Sequence, residues 1–329
     1  MVSFIIPTKN EEKNIQNCLE SIKRQDFDCG RIEIIVVDNN STDKTREIAR
    51  EYTDKVFTHG TERSSQRNFG ACQAKAEILG FIDADMILSA GVIDEVIKKF
   101  EQDENLAGLY INEKIVDFQT GFPPDGLAGS QDQEKTSSKE GLKLKVGLQT
   151  GFPPDGRAGS QDQPPLKWVR KSFFCKTRNF ERQFYNMTVI DAVRFMRRDD
   201  FFACGGFDEN LFACEDWDLN KRIKKIAQTM EFDILKSAIY HNEAGSTLKK
   251  LLAKKKYYSA DFEKYINKWG RKDMDIKKQF GFWYRCFGVF LEKGKWRRLI
   301  SHPILAMAMF AYKIMVGIVY LNTKNQETI

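Results

Sequence analysis

Paired cysteines and a glycine-rich phosphate loop are missing from this 329-residue chain, and its first residues are not expected to act as a leader. Its seven cysteines (Cys18, Cys29, Cys72, Cys175, Cys204, Cys214 and Cys286) are odd in number and form no CxxC pair. That excludes a zinc ribbon, speaks against a disulfide framework and points to a reducing compartment. No G-x-G-x-x-G follows the first apolar run, which disfavours a dinucleotide-binding dehydrogenase. The opening "MVSFIIPTKNEE" has no basic n-region and too short an apolar run for a signal peptide, so it reads as a first β-strand and the catalytic part is expected in the cytosol. Wholesale disorder is excluded by a composition 42% hydrophobic and 30% charged.

What is present alternates. Val2–Pro7 predicts a strand, Asn14–Gln25 a helix with Ile15, Leu19 and Ile22 on one face, and "EIIVVD" a strand covered on both sides. A helix capped at Ser41–Asp43, a short strand near Val56, a helix over Arg63–Ala76 and a strand over Ile78–Asp83 follow. This rhythm predicts an α/β fold with a mostly parallel sheet flanked by helices. At Gln119 it stops: "QTGFPPDGLAGSQDQ" returns thirty residues later with one difference. Two copies do not build a solenoid, and residues 117–167 read as a duplicated flexible insertion in a surface loop. Beyond it, Trp168–Met187 and "EDWDLNKRIKKIA" predict helices, while "AVRFM" (192–196) and "AIYH" (238–241) predict strands. The expected organisation is therefore 1–116, the insertion 117–167, a second half 168–247 and a basic C-terminal region 248–329.

"GFIDADMIL" places two like charges, Asp83 and Asp85, at the end of a buried run. On a strand they face one crevice while Ala84 faces away, and two hard oxygen donors there suit Mg²⁺ or Mn²⁺. The same acids could simply cap the following segment. Other motifs surround them: "IIPTKNEE" ends the first strand, "VVDNNSTDKT" ends another in an acid and a polar turn, and "ERSSQRNFGA" precedes the Asp-X-Asp strand. In that order they resemble the nucleotide-sugar-binding half of a family 2 glycosyltransferase with the GT-A fold, over about residues 1–116 and again over 168–247.

The resemblance implies roles for matching positions. Pro7, Thr8, Asn10 and Glu11 would lie along the nucleoside, Asp38 would hold base or ribose, and Arg67 would sit near base or diphosphate. Asp83 and Asp85 would form the Asp-X-Asp pair, Asp85 touching the Mn²⁺ or Mg²⁺ cofactor, with His241 in "YHNE" a further ligand. "GGFDENLFACEDWDL" resembles the family's acceptor region and gives Asp216, with Glu215 beside it, the part of base. Acids are also favoured in any helix's first turn, whatever their chemistry. Arg178, Arg182, Arg194, Arg197 and Arg198 on the acceptor side make a phosphate-bearing acceptor conceivable. The expected activity is metal-dependent transfer from a nucleotide-diphosphate sugar to a surface-glycan or lipid-linked acceptor. The alternatives are a polyprenyl-phosphate glycosyl synthase and an inactive sugar-nucleotide-binding module.

Sixteen Lys/Arg against five Asp/Glu fall between Leu248 and Ile300, leaving the remainder of this +6 chain acidic overall. Leu248–Trp269, with apolar and aromatic residues opposite lysines, predicts an interfacial helix on the cytoplasmic face of an anionic membrane. The run "PILAMAMFAYKIMVGIVYL" (303–321) could span, lie in the interface or pack as core. No nucleic-acid-binding module accompanies the basic region, so no nucleic-acid partner is expected.

Overall fold

A strand with every side chain buried must be covered on both faces, and Val2–Thr8 (β1) is buried at all seven positions. Phe4 and Ile6 enter one core with Ile15, Leu19 and Ile22 of the helix Ile15–Lys23 (α1). Ile5 enters the opposite core with Val37, Ala71 and Phe81. In this computed structural model, residues 1–25, 30–116, 172–226, 231–243, 247–259 and 261–326 are described, with side chains of the last helix up to Ile318. The insertion expected at 117–167 lies outside the described residues.

After α1 come Ile32–Asp38 (β2), Thr45–Arg50 (α2), Val56–Thr58 (β3), Arg63–Gln73 (α3), Ile78–Phe81 (β4), Met86–Leu88 (β5), Val92–Gln102 (α4) and Leu106–Val116 (β6). The second half adds Phe173–Arg182 (α5), Phe195–Arg197 (β7), Arg198–Ala203 (α6), Glu215–Ile226 (α7) and Glu231–Asn242 (β8). Among the described residues eight strands form one sheet in the order β3-β2-β1-β4-β7-β6-β8-β5. β1 to β4 run parallel, β6 pairs parallel with β8, and β7 and β5 run against their neighbours. The mostly parallel, helix-flanked α/β sheet is as expected.

Two details differ from expectation and matter for the site. β4 ends at Phe81, not Asp83: Ile82 N donates to Ile5 O at 3.2 Å, and Met86 N donates to Asp83 O at 3.0 Å, closing a turn. Asp83 and Asp85 therefore lie on a turn that carries the chain to the far edge, where Met86 pairs with His241. The alternation of a strand does not apply to them. The strand expected at 238–241 is the end of a twelve-residue strand that runs beside β6.

The C-terminal region is helical: Leu248–Ser259 (α8), Phe262–Trp269 (α9), Met274–Phe280 (α10), a π turn at Tyr284–Gly288, Val289–Leu291 (α11), Trp296–Ser301 (α12) and Pro303–Gln326 (α13). The interfacial helix expected over Leu248–Trp269 is two helices, and protein covers their apolar side. Leu251 is buried, and Tyr265 and Ile266 pack with Leu211 and Ile276. An amphipathic pattern states that one face is covered without naming the cover. α13 lays Ala306 and Met309 on Phe180, Phe184 and Phe290. Its one charge turns inward, with Lys313 Nζ 2.7 Å from Tyr185 Oη and 3.4 Å from Glu181 Oε1. Among the described residues no helix is long and apolar enough to cross a membrane.

The turn before α7 is locked to α3 by one amide. Asn68 Nδ2 donates to Phe207 O at 2.9 Å, and Asn68 Oδ1 accepts from Phe207 N at 2.8 Å. Gly206 makes this possible with φ +68°, where an added Cβ would stand 2.7 Å from Asn68 Oδ1. Gly206→Ala is expected to lose roughly 1–3 kcal/mol in urea unfolding. Gly205→Ala, also at positive φ but with open space around it, loses less. Equal midpoints for Gly206→Ala and wild type would refute the lock.

Candidate active site

Arg67 projects from α3 and is fully buried. Its Nη2 donates to Asp83 Oδ1 at 2.7 Å, and its Nη1 reaches Asp216 Oδ1 at 3.0 Å and Glu215 Oε1 at 3.4 Å. One guanidinium thus joins the Asp-X-Asp turn to the start of α7, where three acids occupy the first turn. The Phe207 ring, 5.1 Å from the guanidinium carbon, closes the remaining side. Arg63, one helical turn earlier, adds a second contact to Glu215 at 3.4 Å. Arg67 was expected beside a base or diphosphate. In the structure its guanidinium meets three carboxylates.

Asp83 and Asp85 part company here. Asp83 faces Arg67 and, through Oδ2, Arg194 Nη1 at 3.5 Å. Burial alone would raise its pKa, but Arg67, Arg194 and Arg63 together hold it well below the usual carboxylate range. Asp85 faces His241, with Oδ2 3.2 Å from Nε2. The other imidazole nitrogen, Nδ1, lies 2.9 Å from Glu113 Oε1. Glu113 is itself held by Arg182 at 3.1 Å, with Arg194 at 3.8 Å. A carboxylate behind a histidine fixes the ring's orientation and tautomer, so Glu113 aims Nε2 at Asp85.

The donor set fits a divalent cation at Asp85 and His241. Asp85 Oδ1 is buried with no hydrogen-bond donor, and a cation is what such an oxygen calls for. Carboxylate and imidazole suit Mn²⁺, while Mg²⁺ takes few protein ligands and completes its shell with water and phosphate. Of the three ligands expected, Asp85 and His241 face each other, while Asp83 is paired with Arg67 and Arg194. Among the described residues no group of three His, Cys, Asp or Glu side chains is arranged to hold a metal.

The first-strand motif borders this cluster. Asp83 and Asp85 carboxylates lie near enough to raise the Glu11 pKa, although burial contributes more. Glu11 N donates to Thr45 Oγ1 at 2.7 Å, and Asn10, at φ +54°, accepts from Thr42 N at 2.8 Å. Pro7 and Thr8 are buried in β1, and Thr8 O accepts from Gln66 Nε2 at 3.0 Å. Asp38 stands apart from the acids. Fully buried, it accepts from Ser41 N at 2.8 Å and from the Ser41 hydroxyl, with Arg46 3.7 Å away, so it braces its own turn.

The arginines singled out on the acceptor side are largely spoken for. Arg178 pairs with Glu181 and Glu243, and Arg182 with Glu113 and Asp191. Arg194 serves Asp83, and Arg197 donates to the carbonyls of Phe100 and Asp103. Glu113 escaped the sequence analysis because it lies mid-strand without a motif. The paired register Ile115↔His241, which brings the end of β6 alongside β8, is the only sign of it.

Glu215 is the acid whose protonation the cluster changes most usefully. Burial first, then the Asp216 charge, push its pKa up to about 7, with Arg63 and Arg67 pulling the other way. Between its ordinary 4.5 and about 7 the folded chain holds a proton that the unfolded chain has lost. Stability therefore falls as pH rises through that window. Wild-type Tm is expected to drop by several degrees more between pH 5 and pH 8 than the Tm of Glu215→Gln. Identical pH slopes for the two proteins would contradict this.

Residues 3–205 match the family described as Glycosyl transferase family 2. Among curated proteins, the chain is 38% identical over 91 residues to glycosyltransferase AglE of Haloferax volcanii, covering 26% of this chain and 30% of that one. It is 29% identical over 150 residues to the uncharacterized glycosyltransferase EpsJ of Bacillus subtilis, covering 44% and 43%. These alignments span less than half the length of either relative. Among solved structures, mannosyltransferase PcManGT from Pyrobaculum calidifontis, in complex with GDP-Man and Mn²⁺, superposes with a TM-score of 0.53 at 15% identity, over 97% of this chain and 86% of that one. The fold is that of the GT-A enzymes, and with the family match covering more than half its length, the chain belongs to glycosyl transferase family 2.

Proposed function

We propose that this glycosyltransferase moves a sugar from a nucleotide-diphosphate donor to a hydroxyl of a surface-glycan or lipid-linked acceptor, with inversion and with Mn²⁺ or Mg²⁺ as cofactor. One observation carries the proposal: a single buried guanidinium lies 2.7 Å from Asp83 and 3.0 Å from Asp216. The donor-side acid and the acceptor-side acid are thereby held at one place. The PcManGT complex with GDP-Man and Mn²⁺ supports a diphosphate-linked donor and a divalent cation.

In this mechanism the acceptor O–H gives its proton to Asp216. The oxygen lone pair bonds to the anomeric carbon from the side opposite the leaving group. The carbon–oxygen bond to the diphosphate breaks, and its electrons depart with the nucleoside diphosphate. Arg67, 3.0 Å from its Oδ1, fixes the direction of the Asp216 carboxylate toward the acceptor. The Asp216 side chain keeps 27% exposure, enough for an acceptor to reach it. Asp85 and His241 would hold the divalent cation, which would supply positive charge to the departing diphosphate. Glu113 holds the His241 ring in place for it.

Asp216→Asn is expected to lower turnover about 10²–10⁴-fold while leaving donor binding in place. Turnover within twofold of wild type would exclude Asp216 as base and favour an acceptor that is already an anion, as in a polyprenyl-phosphate synthase. Asp85→Asn is expected to abolish the extra thermal stabilisation that Mn²⁺ confers with UDP-, GDP- or dTDP-sugars. If metal adds the same shift in wild type and variant, the cation is bound elsewhere. Nucleotide binding with no turnover in the wild type would instead indicate an inactive binding module.

A further inference from the structure

Transfer chemistry leaves the outer surface of the C-terminal helices without a purpose. α13 turns Ala306 and Met309 toward the protein. On its outward side Ile304, Met307, Ala311, Ile314 and Ile318 follow at spacings of three and four, all exposed. Ile304 is 65% exposed and Ile314 64%, values unusual for isoleucine. Ahead of the helix, Phe282, Trp283 and Phe287 pack ring against ring at the surface, with Trp283 76% exposed. Scattered apolar side chains need no explanation, but a continuous apolar face marks an interaction site.

Charge identifies the occupant. From Phe282 to Ile318 the sequence contains one acid, Glu292, and its carboxylate accepts from Tyr284 Oη at 3.0 Å. Lys293, Arg297 and Arg298 are exposed just before the stripe. The two remaining lysines of the region turn inward: Lys295 donates to Phe184 O at 2.7 Å, and Lys313 lies against Tyr185 and Glu181. The surface therefore offers apolar side chains bordered by cations of one sign.

We propose that this face docks on an anionic lipid bilayer. α13 lies flat at the boundary between headgroups and acyl chains, its stripe turned into the lipid and Lys293, Arg297 and Arg298 among the phosphates. A three-four stripe is also the seam of a coiled coil. A two-fold pairing of this chain, however, repeats the same basic patch on both partners, and residues 282–318 bring no counter-charge to it except Glu292. Lipid phosphates neutralise the same charges. Spanning is not available to the described helix, because its inner side is committed to Phe180, Phe184 and Phe290. Of the segments that the sequence offers to lipid, Leu248–Trp269 is largely covered by protein, and the exposed apolar face lies on residues 282–318. Docking is independent of the transfer reaction and places it at a membrane surface.

The test is flotation of the full chain with phosphatidylcholine vesicles, with and without phosphatidylglycerol. The protein is expected to float only with the anionic vesicles and to be released by salt. The double substitution Arg297→Glu with Arg298→Glu, and separately Ile304→Ser with Ile314→Ser, are each expected to weaken flotation at least about tenfold. Both variants should keep wild-type Tm and soluble-donor hydrolysis, since none of these residues touches the acid cluster. Should the isoleucine variant melt early, the arginine variant, altered only at exposed positions, decides alone. Failure of the wild type to float, or equal flotation with neutral vesicles, overturns the proposal. So does a wild-type dimer in sedimentation that Ile304→Ser with Ile314→Ser makes monomeric, which gives the stripe to a second copy. Hydrolysis measured on the same preparations keeps a failure of docking separate from a failure of the transferase mechanism.

Discussion

A guanidinium shut away from water is tolerable only where carboxylates surround it, and Arg67, fully buried, meets Asp83, Glu215 and Asp216. Dehydrating a charge of that size costs several kcal/mol before any attraction repays it, so the cluster is stable only as a set. The partners come from two distant places: Asp83 is 16 residues away in sequence and Asp216 is 149. The ion cluster therefore ties the turn after β4 and helix α3 to the start of α7. Burial and the neighbouring Asp216 charge raise the pKa of Glu215 against the pull of Arg63 and Arg67.

The two aspartates separated by one alanine escape mutual repulsion by serving different partners. Arginines take Asp83, and a histidine takes Asp85. Behind them Glu113 links both arms, touching His241 on one side and Arg182 and Arg194 on the other. Burial would raise the pKa of Glu113, yet the Arg182 charge, the His241 bond and Arg194 hold it well below the carboxylate range. Such a fully charged, hydrogen-bonded second layer is rigid, which is what a cation site and an aimed base require.

The C-terminal helices play two parts. Their inner side is scaffold: Lys313, Tyr185 and Glu181 form a buried polar group beneath aromatic packing, and Asp218 ties α7 to α9 through Trp269 Nε1 at 2.9 Å. Their outer side is apolar and basic, and among the described residues nothing of this chain lies upon it. A lysine at the centre of a long apolar run looks expensive to any lipid-based account of that run, but facing inward onto a carboxylate it is ordinary.

Much of the fold is legible along the chain. Strands covered on both faces are continuous apolar runs, amphipathic helices repeat every three to four residues, and these give the α/β order up to β4 and again at α7. The acid types and their motif order likewise expose Asp83, Asp85, Asp216 and His241 without coordinates. What cannot be read locally is who pairs with whom. That Arg67 pairs with three acids, that Glu113 stands behind His241, that Asp83 meets Arg67 and Arg194 and that Leu211 packs with Tyr265 and Ile266 all depend on residues remote in sequence becoming neighbours. The amino-acid order determined which side chains are charged, apolar or able to cap. Only tertiary packing decided their partners, because electrostatic and packing energies depend on distances that no local pattern specifies.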